Sequence, residues 1–128
     1  MTGHRDAAGL AELLAAGAAG LNAQGAAVGL LVDHCHWLTR PDFTTGFINA
    51  TTTPASGPAL AHVRWKAAAR ALACGRLPAS SGEAALLHLA ASLAADVPVT
   101  LGDAAGRLDH TNCTALAHAI LRAGGHHR

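Results

Sequence analysis

The sequence predicts an all-α protein, a compact bundle of six or seven short helices in a single domain. Three observations predict it. Alanine and leucine, the strongest helix formers, dominate the 128 residues, whereas aromatic residues make up 3% and tyrosine is absent. Apolar residues recur at spacings of three and four, with no run of clean alternation. Independent helix-start signals recur along the chain.

A first helix is expected over about 6–18, with Leu10, Leu13, Leu14 and Ala18 on one face, Gly17 as a gap beside them and Gly20 as the stop. Asn22 reads as the N-cap of a second helix over about 23–38. Its apolar stripe is Val28, Leu31, Val32, Cys35 and Leu38. Gly25 and Gly29 weaken it by about 1 kcal/mol each against alanine and leave room for a neighbouring helix. Thr39, Pro41 and Asp42 form a T-x-x-D start for a short helix through Ile48 that buries Phe43 and Phe47.

The uncharged segment 49–57 reads as a loop, and as the place for disorder or a hinge. Pro58 then opens a helix to about Cys74, closed by Gly75, with Leu60, Val63, Ala67, Ala71 and Cys74 inward. Ser80 and Glu83 stand at capping-box spacing before Leu86, Leu89, Ala90 and Leu93. Pro98 breaks the chain, and Thr100 and Asp103 open a short helix to about Leu108. Asp109 caps the last helix, with Cys113, Leu116, Ala117, Ile120 and Leu121 as its stripe and Gly124 and Gly125 as its stop. The loop divides the chain into N-terminal helices over 6–48 and a C-terminal helical unit over 58–124.

Composition narrows the function classes. The formal charge is +1 and the sequence pI about 7.9, so no global field steers the chain toward nucleic acid or an anionic membrane. The longest apolar run, Ala26 to Val32, falls far short of the ~18–20 residues of a membrane span. The N-terminus lacks a signal-peptide layout, because Asp6 and Glu12 interrupt it, and a cytoplasmic location is expected. Three cysteines, Cys35, Cys74 and Cys113, contain no C-x-x-C pair and are expected to be buried and unpaired.

The nine histidines include His34 and His36 flanking Cys35. On a continuous helix, residues two apart point about 200° away from each other and cannot close on one ion. His110 and Cys113, three apart, make only two ligands, so no metal or other cofactor is expected. His110, Thr114, His118 and Arg122 form a polar stripe on the last helix, read as a solvated face or a pH-sensitive contact. No nucleophile elbow, phosphate loop or H-E-x-x-H motif occurs. Asp42, Glu83, Asp103 and Asp109 are accounted for at helix starts, and Lys66 is the single lysine. No catalytic residue is expected, and an enzyme ranks third among the function classes.

One asymmetry remains. From Phe43 to Gly82 there is no acid, yet the stretch holds Arg64, Lys66, Arg70 and Arg76. On the expected helix, His62, Lys66 and Arg70 fall at i, i+4 and i+8 as one outward ridge, with Arg64 and Arg76 extending it and Trp65 alongside. Such a ridge suits an acidic protein surface or a phosphate backbone, or it is a solvated face with Trp65 in the core. A helix-turn-helix is disfavoured, since the 74–81 connection is long and the helix over 83–95 carries no Arg, Lys, Asn or Gln to read bases.

The stretch from Gly75 through Ala94, then Val97-Pro-Val-Thr-Leu-Gly-Asp-Ala, Leu108-Asp-His-Thr-Asn and His36-Trp-Leu-Thr-Arg-Pro-Asp-Phe, resembles small uncharacterised helical proteins of high-GC actinobacteria. The resemblance spans about half the chain and implies a helical fold; no activity, cofactor or site comes with it. The expectation is therefore a non-catalytic regulatory or accessory protein acting through protein–protein contacts, with a homodimer as the expected assembly because alanine-rich helices gain from extra burial. Its binding residues would be His62, Arg64, Lys66, Arg70 and Arg76. The alternative is a DNA-binding transcriptional regulator using the basic 64–76 helix.

Overall fold

Helices form where the three- and four-residue apolar spacing places them, with one short hairpin inserted between them. The computed structural model describes residues 7–34, 36–51 and 60–126. In chain order they form α1 (Ala7–Gly17), α2 (Asn22–His34), a 3-10 turn (Trp37–Thr39), α3 (Pro41–Phe47), β1 (Ile48–Thr51), β2 (Leu60–Val63), α4 (Trp65–Ala73), α5 (Ser81–Ala95), α6 (Leu101–Gly106) and α7 (His110–Ala123). The protein is mainly α-helical, as its composition dictates.

α2 is the central element. It buries Gly25, Ala26, Ala27, Val28, Leu30 and Leu31 on most of its circumference, as a helix apolar all round must. It packs chiefly against α5 and α7, and α1 lies against it as well. The N-terminal and C-terminal parts of the chain therefore interleave in one core, and the segment after residue 48 does not separate them. α7 runs antiparallel to α2: Gly125 lies beside the Asn22 side chain, and the Arg122 guanidinium covers Gly25 and Gly29. The room left by those two glycines is filled by one side chain.

Trp37 and Phe43 are fully buried together with Leu14, Leu30, Leu31, Leu86 and Leu87. The Trp37 and Phe43 rings lie 5.4 Å apart, and Phe43 stacks on half-buried Phe47 at 6.1 Å, favourable aromatic separations. The Trp37 Nε1–H donates to the Glu83 carbonyl at 3.1 Å, which satisfies the indole and ties the 3-10 turn to the start of α5.

Two capping expectations hold at atomic level. The Ser80 hydroxyl accepts from the Glu83 N–H at 3.2 Å, and the Glu83 carboxylate accepts from the Ser80 N–H at 2.9 Å. Asp109 accepts from the Asn112 N–H at 2.8 Å. Two others are corrected. Thr39 donates back to the His36 carbonyl at 2.7 Å, because residues 37–39 form a 3-10 turn, and α3 starts one residue later, after Arg40. Thr100 precedes α6 without a side-chain bond, and the Asp103 carboxylate, instead of reaching back to Thr100, accepts from Arg107 Nε at 3.1 Å.

The larger correction is the hairpin. β1 and β2 pair antiparallel, Ile48 opposite Val63, Asn49 opposite His62 and Ala50 opposite Ala61. Residues 60–63 are thus a strand, where a helix from Pro58 is expected; Pro58 and the remainder of the 49–57 loop lie outside the described residues. Ala61 and Val63 are buried while His62 points outward, the period-two pattern of a half-covered strand. α1 packs across β2, and Gly17 supplies the close approach.

Helix faces also rotate relative to expectation. α7 buries Leu116 and Ala119, leaving Ile120 47% and Leu121 44% exposed. Arg122 leans over α2, and the facing surface of α2 selects which side of α7 is covered. Cys74 is exposed rather than inward, because α4 ends one residue earlier. Cys113 is half-buried with its Sγ 3.7 Å from the Ala105 carbonyl, and neither thiol is in a disulfide. Cys35 lies outside the described residues.

Candidate functional site

α4 begins at Trp65 and buries Trp65, Ala68, Ala69 and Ala71. This leaves Lys66 and Arg70 on successive turns of the outward face, both exposed. The helix closes at Gly75, whose φ of +79° favours glycine. There the Gly75 N–H reaches the Leu72 carbonyl and the Arg76 N–H the Ala71 carbonyl, the paired bonds of a Schellman closure.

The five expected binding residues do not form one ridge. His62 is on β2, where its neighbours are Gln24, Leu14 and Trp65 around a hollow of about 220 Å³. Arg64 precedes α4, and its Nη1 donates to the Gly46 carbonyl at 3.0 Å, at the carbonyl-rich end of α3 where a cation is favoured. Arg76 is exposed in the turn after α4. Of the five, only Lys66 and Arg70 line one hollow together. A strand at residue 62 breaks the i, i+4, i+8 relation that a continuous helix would have given. Trp65 belongs to the core at 8% exposure.

Lys66 and Arg70 open onto a surface hollow of about 510 Å³. Ala69 and Ala73 form its α4 side, and His88 and Ala95 belong to α5. Asp96, Val97 and Pro98, the segment that follows α5, complete its lining as the other lip. α5 is closed by its C-cap Asp96, which holds a left-handed φ of 58°, a conformation a short polar side chain tolerates. Pro98 keeps the following segment extended. Burial pushes the pKa of the His88 imidazole, which lines the hollow from α5, below its ordinary 6.5 and so favours its neutral form. Among the described residues, no carboxylate is within ion-pairing distance of Lys66, Arg70 or Arg76.

A second hollow of about 350 Å³ shares His88 and Pro98 with the first. The Asp103–Arg107 ion pair stands at its edge, and Ser81 and Thr100 also line it. Sequence reasoning missed the lip and the α5 side of both hollows. The usable signal was a proline three residues beyond the end of α5, near an acid otherwise without a role.

The densest polar cluster lies elsewhere, where α2 gives way to the 3-10 turn. Because α2 ends at His34, the His34 and His36 rings come within 5.7 Å of each other, so the continuous-helix argument for keeping them apart does not apply. His36 Nε2 is 3.4 Å from the Glu83 carboxylate, an ionic contact only when the imidazole is protonated. Neither His34 Nδ1 nor His36 Nε2 has a hydrogen-bond partner, although both atoms are buried. Desolvation and then the neighbouring His36 lower the His34 pKa. Arg40 lies 4.7 Å above the Trp37 ring, donates to the Pro78 carbonyl and pairs with Asp42. The Arg40 hydrogen bond holds the Asp42 carboxyl below its usual range, and the Ser80 N–H does the same for Glu83. Among the described residues, no three histidine, cysteine or acidic side chains converge to hold a metal ion. The cluster ties α2, α3 and α5 together.

No described helix is long and apolar enough to cross a membrane. Comparison with protein-family models, with curated proteins and with solved structures finds no match for this chain.

Proposed function

We propose that this chain is a non-catalytic regulatory or accessory protein that acts through protein–protein contacts, with Lys66 and Arg70 as the charged part of its contact surface. One observation carries the reading. The two cations stand one helical turn apart, exposed, beside an apolar-sided hollow, with no carboxylate paired to them among the described residues. A solvated helix face needs no such hollow.

The DNA-regulator alternative is weakened by the same geometry. Nucleic-acid affinity grows with the number of phosphates neutralised. Here Arg64 is engaged at the end of α3 and His62 belongs to another hollow, which leaves a short basic footprint. Leu21, Ile120 and Leu121, exposed where α2 begins and α7 finishes, are the surface that a homodimer would gain by covering.

The test compares the wild-type chain with the Lys66→Glu/Arg70→Glu variant in affinity capture from the native host's extract. A protein retained by the wild type and lost with the variant, at an unchanged melting temperature, supports the reading. Equal retention by both overturns it. So does retention of nucleic acid instead, with an affinity that falls steeply as salt rises. Sedimentation equilibrium of the purified chain reports the homodimer separately.

A further inference from the structure

We infer that the hollow between α4 and residues 96–98 is a docking groove for an acidic amphipathic helix of a partner protein, with two carboxylates one turn apart beside an apolar side chain. This rests on the reading of Lys66 and Arg70 as the contact surface and specifies its occupant.

The argument is one of charge and spacing. Residues four apart on a helix are separated by about 6 Å along its axis. Lys66 and Arg70 therefore present two cations at the repeat at which a partner helix presents acids at i and i+4. Between them and the far lip, the groove offers Ala69, Ala73, Val97 and Pro98. Those small apolar surfaces take an aliphatic side chain, and a phosphate backbone has none to offer.

Asp96 gives the groove a direction. It lines the same groove as Lys66 and Arg70 without pairing with either, so an acidic ligand is drawn to the two α4 cations and repelled at residue 96. A uniformly basic groove would lack this bias. An acidic helix whose apolar face is turned toward residues 97–98 satisfies both lips, whereas a polyanion charged on all sides meets Asp96. Burial lowers the His88 pKa, so Lys66 and Arg70, not the imidazole, supply the groove's positive charge near neutrality.

The probe is a synthetic peptide of about 16 residues, long enough to be partly helical in water. It carries glutamates at i and i+4 with leucine beside them. Binding is followed by amide chemical shifts of the full chain and by fluorescence anisotropy. The expected result is saturable shifts at Ala69, Ala73, Ala95 and Val97, with affinity at least tenfold weaker for Lys66→Glu/Arg70→Glu. Ala73→Gln, which puts a longer side chain at an exposed position on the groove wall without adding charge, is expected to weaken binding by a similar factor. Asp96→Asn, which keeps a residue tolerant of the left-handed backbone, is expected to tighten binding about two- to threefold by removing one like charge.

The groove is overturned if millimolar peptide leaves those four amides unmoved. It is also overturned if a version with alanine for leucine binds equally well, or if a short DNA duplex competes at equal charge. In each of these cases, extract capture that still depends on Lys66 and Arg70 would leave the contact-surface reading standing. Loss of that dependence as well would remove both.

Discussion

The carbonyl oxygen of Ala61 on β2 occupies the space that a Cβ on Gly17 of α1 would need. The obstacle is backbone rather than a flexible side-chain end, so neither partner gives way cheaply. Gly17→Ala is expected to destabilise the fold by about 1–3 kcal/mol, the usual cost of overpacking, read as a melting-temperature drop of several degrees. Gly102→Ala on α6, where the added methyl meets open space, is the control and is expected to raise stability by up to about 1 kcal/mol. Equal effects from the two substitutions would show that α1 does not press on the hairpin.

The Ser80–Glu83 box and the Arg40–Asp42 pair set the acid limb of stability. Both carboxyls are held below their ordinary values of 4.5 and 3.8. Their contribution is thus complete above those values and is lost as pH falls through the lower folded ones. Ser80→Ala is expected to cost about 1 kcal/mol at pH 7. Glu83→Gln and Asp42→Asn should lower stability at pH 7 and flatten its decline below about pH 4.5, measured as urea midpoints across pH 3–7. A decline as steep in the double variant as in the wild type contradicts this assignment.

His34 and His88 act nearer neutrality. Burial lowers both below 6.5, so the unfolded chain takes up their protons first. The stability they confer is present above about pH 6.5 and falls away as the solution is acidified through their folded values. The urea midpoint of the wild type should drop between pH 7.5 and 5.5, and His34→Gln/His88→Gln should reduce that drop. A wild-type midpoint that rises on acidification would refute the sign.

The thiols offer a check on helix ends. Cys74 is exposed at the close of α4, whereas Cys113 is half-buried against the Ala105 carbonyl. A thiol reagent applied to the folded protein should modify Cys74 within minutes and Cys113 more slowly, with the sites assigned by peptide mass. Protection of Cys74 equal to that of Cys113 would mean that α4 continues past Ala73.

The sequence by itself determined the helical class, most element positions and the caps at Ser80 and Asp109. These follow from propensity, apolar spacing and hydrogen bonds between residues three apart, all local in the chain. It also singled out Lys66 and Arg70, because a basic stretch without acids is visible without coordinates. Only the tertiary structure decided that residues 60–63 would pair with 48–51 as strands, since that choice depends on α1 offering Gly17 to the backbone of β2. The same holds for α7, where the contact with α2 left Ile120 and Leu121 outside, and for His34 and His36, which meet because α2 ends at His34. The groove beside Lys66 and Arg70 has its far lip at residues 96–98, about thirty residues along the chain. No helical periodicity links positions so far apart; packing of α4 against α5 brings them together.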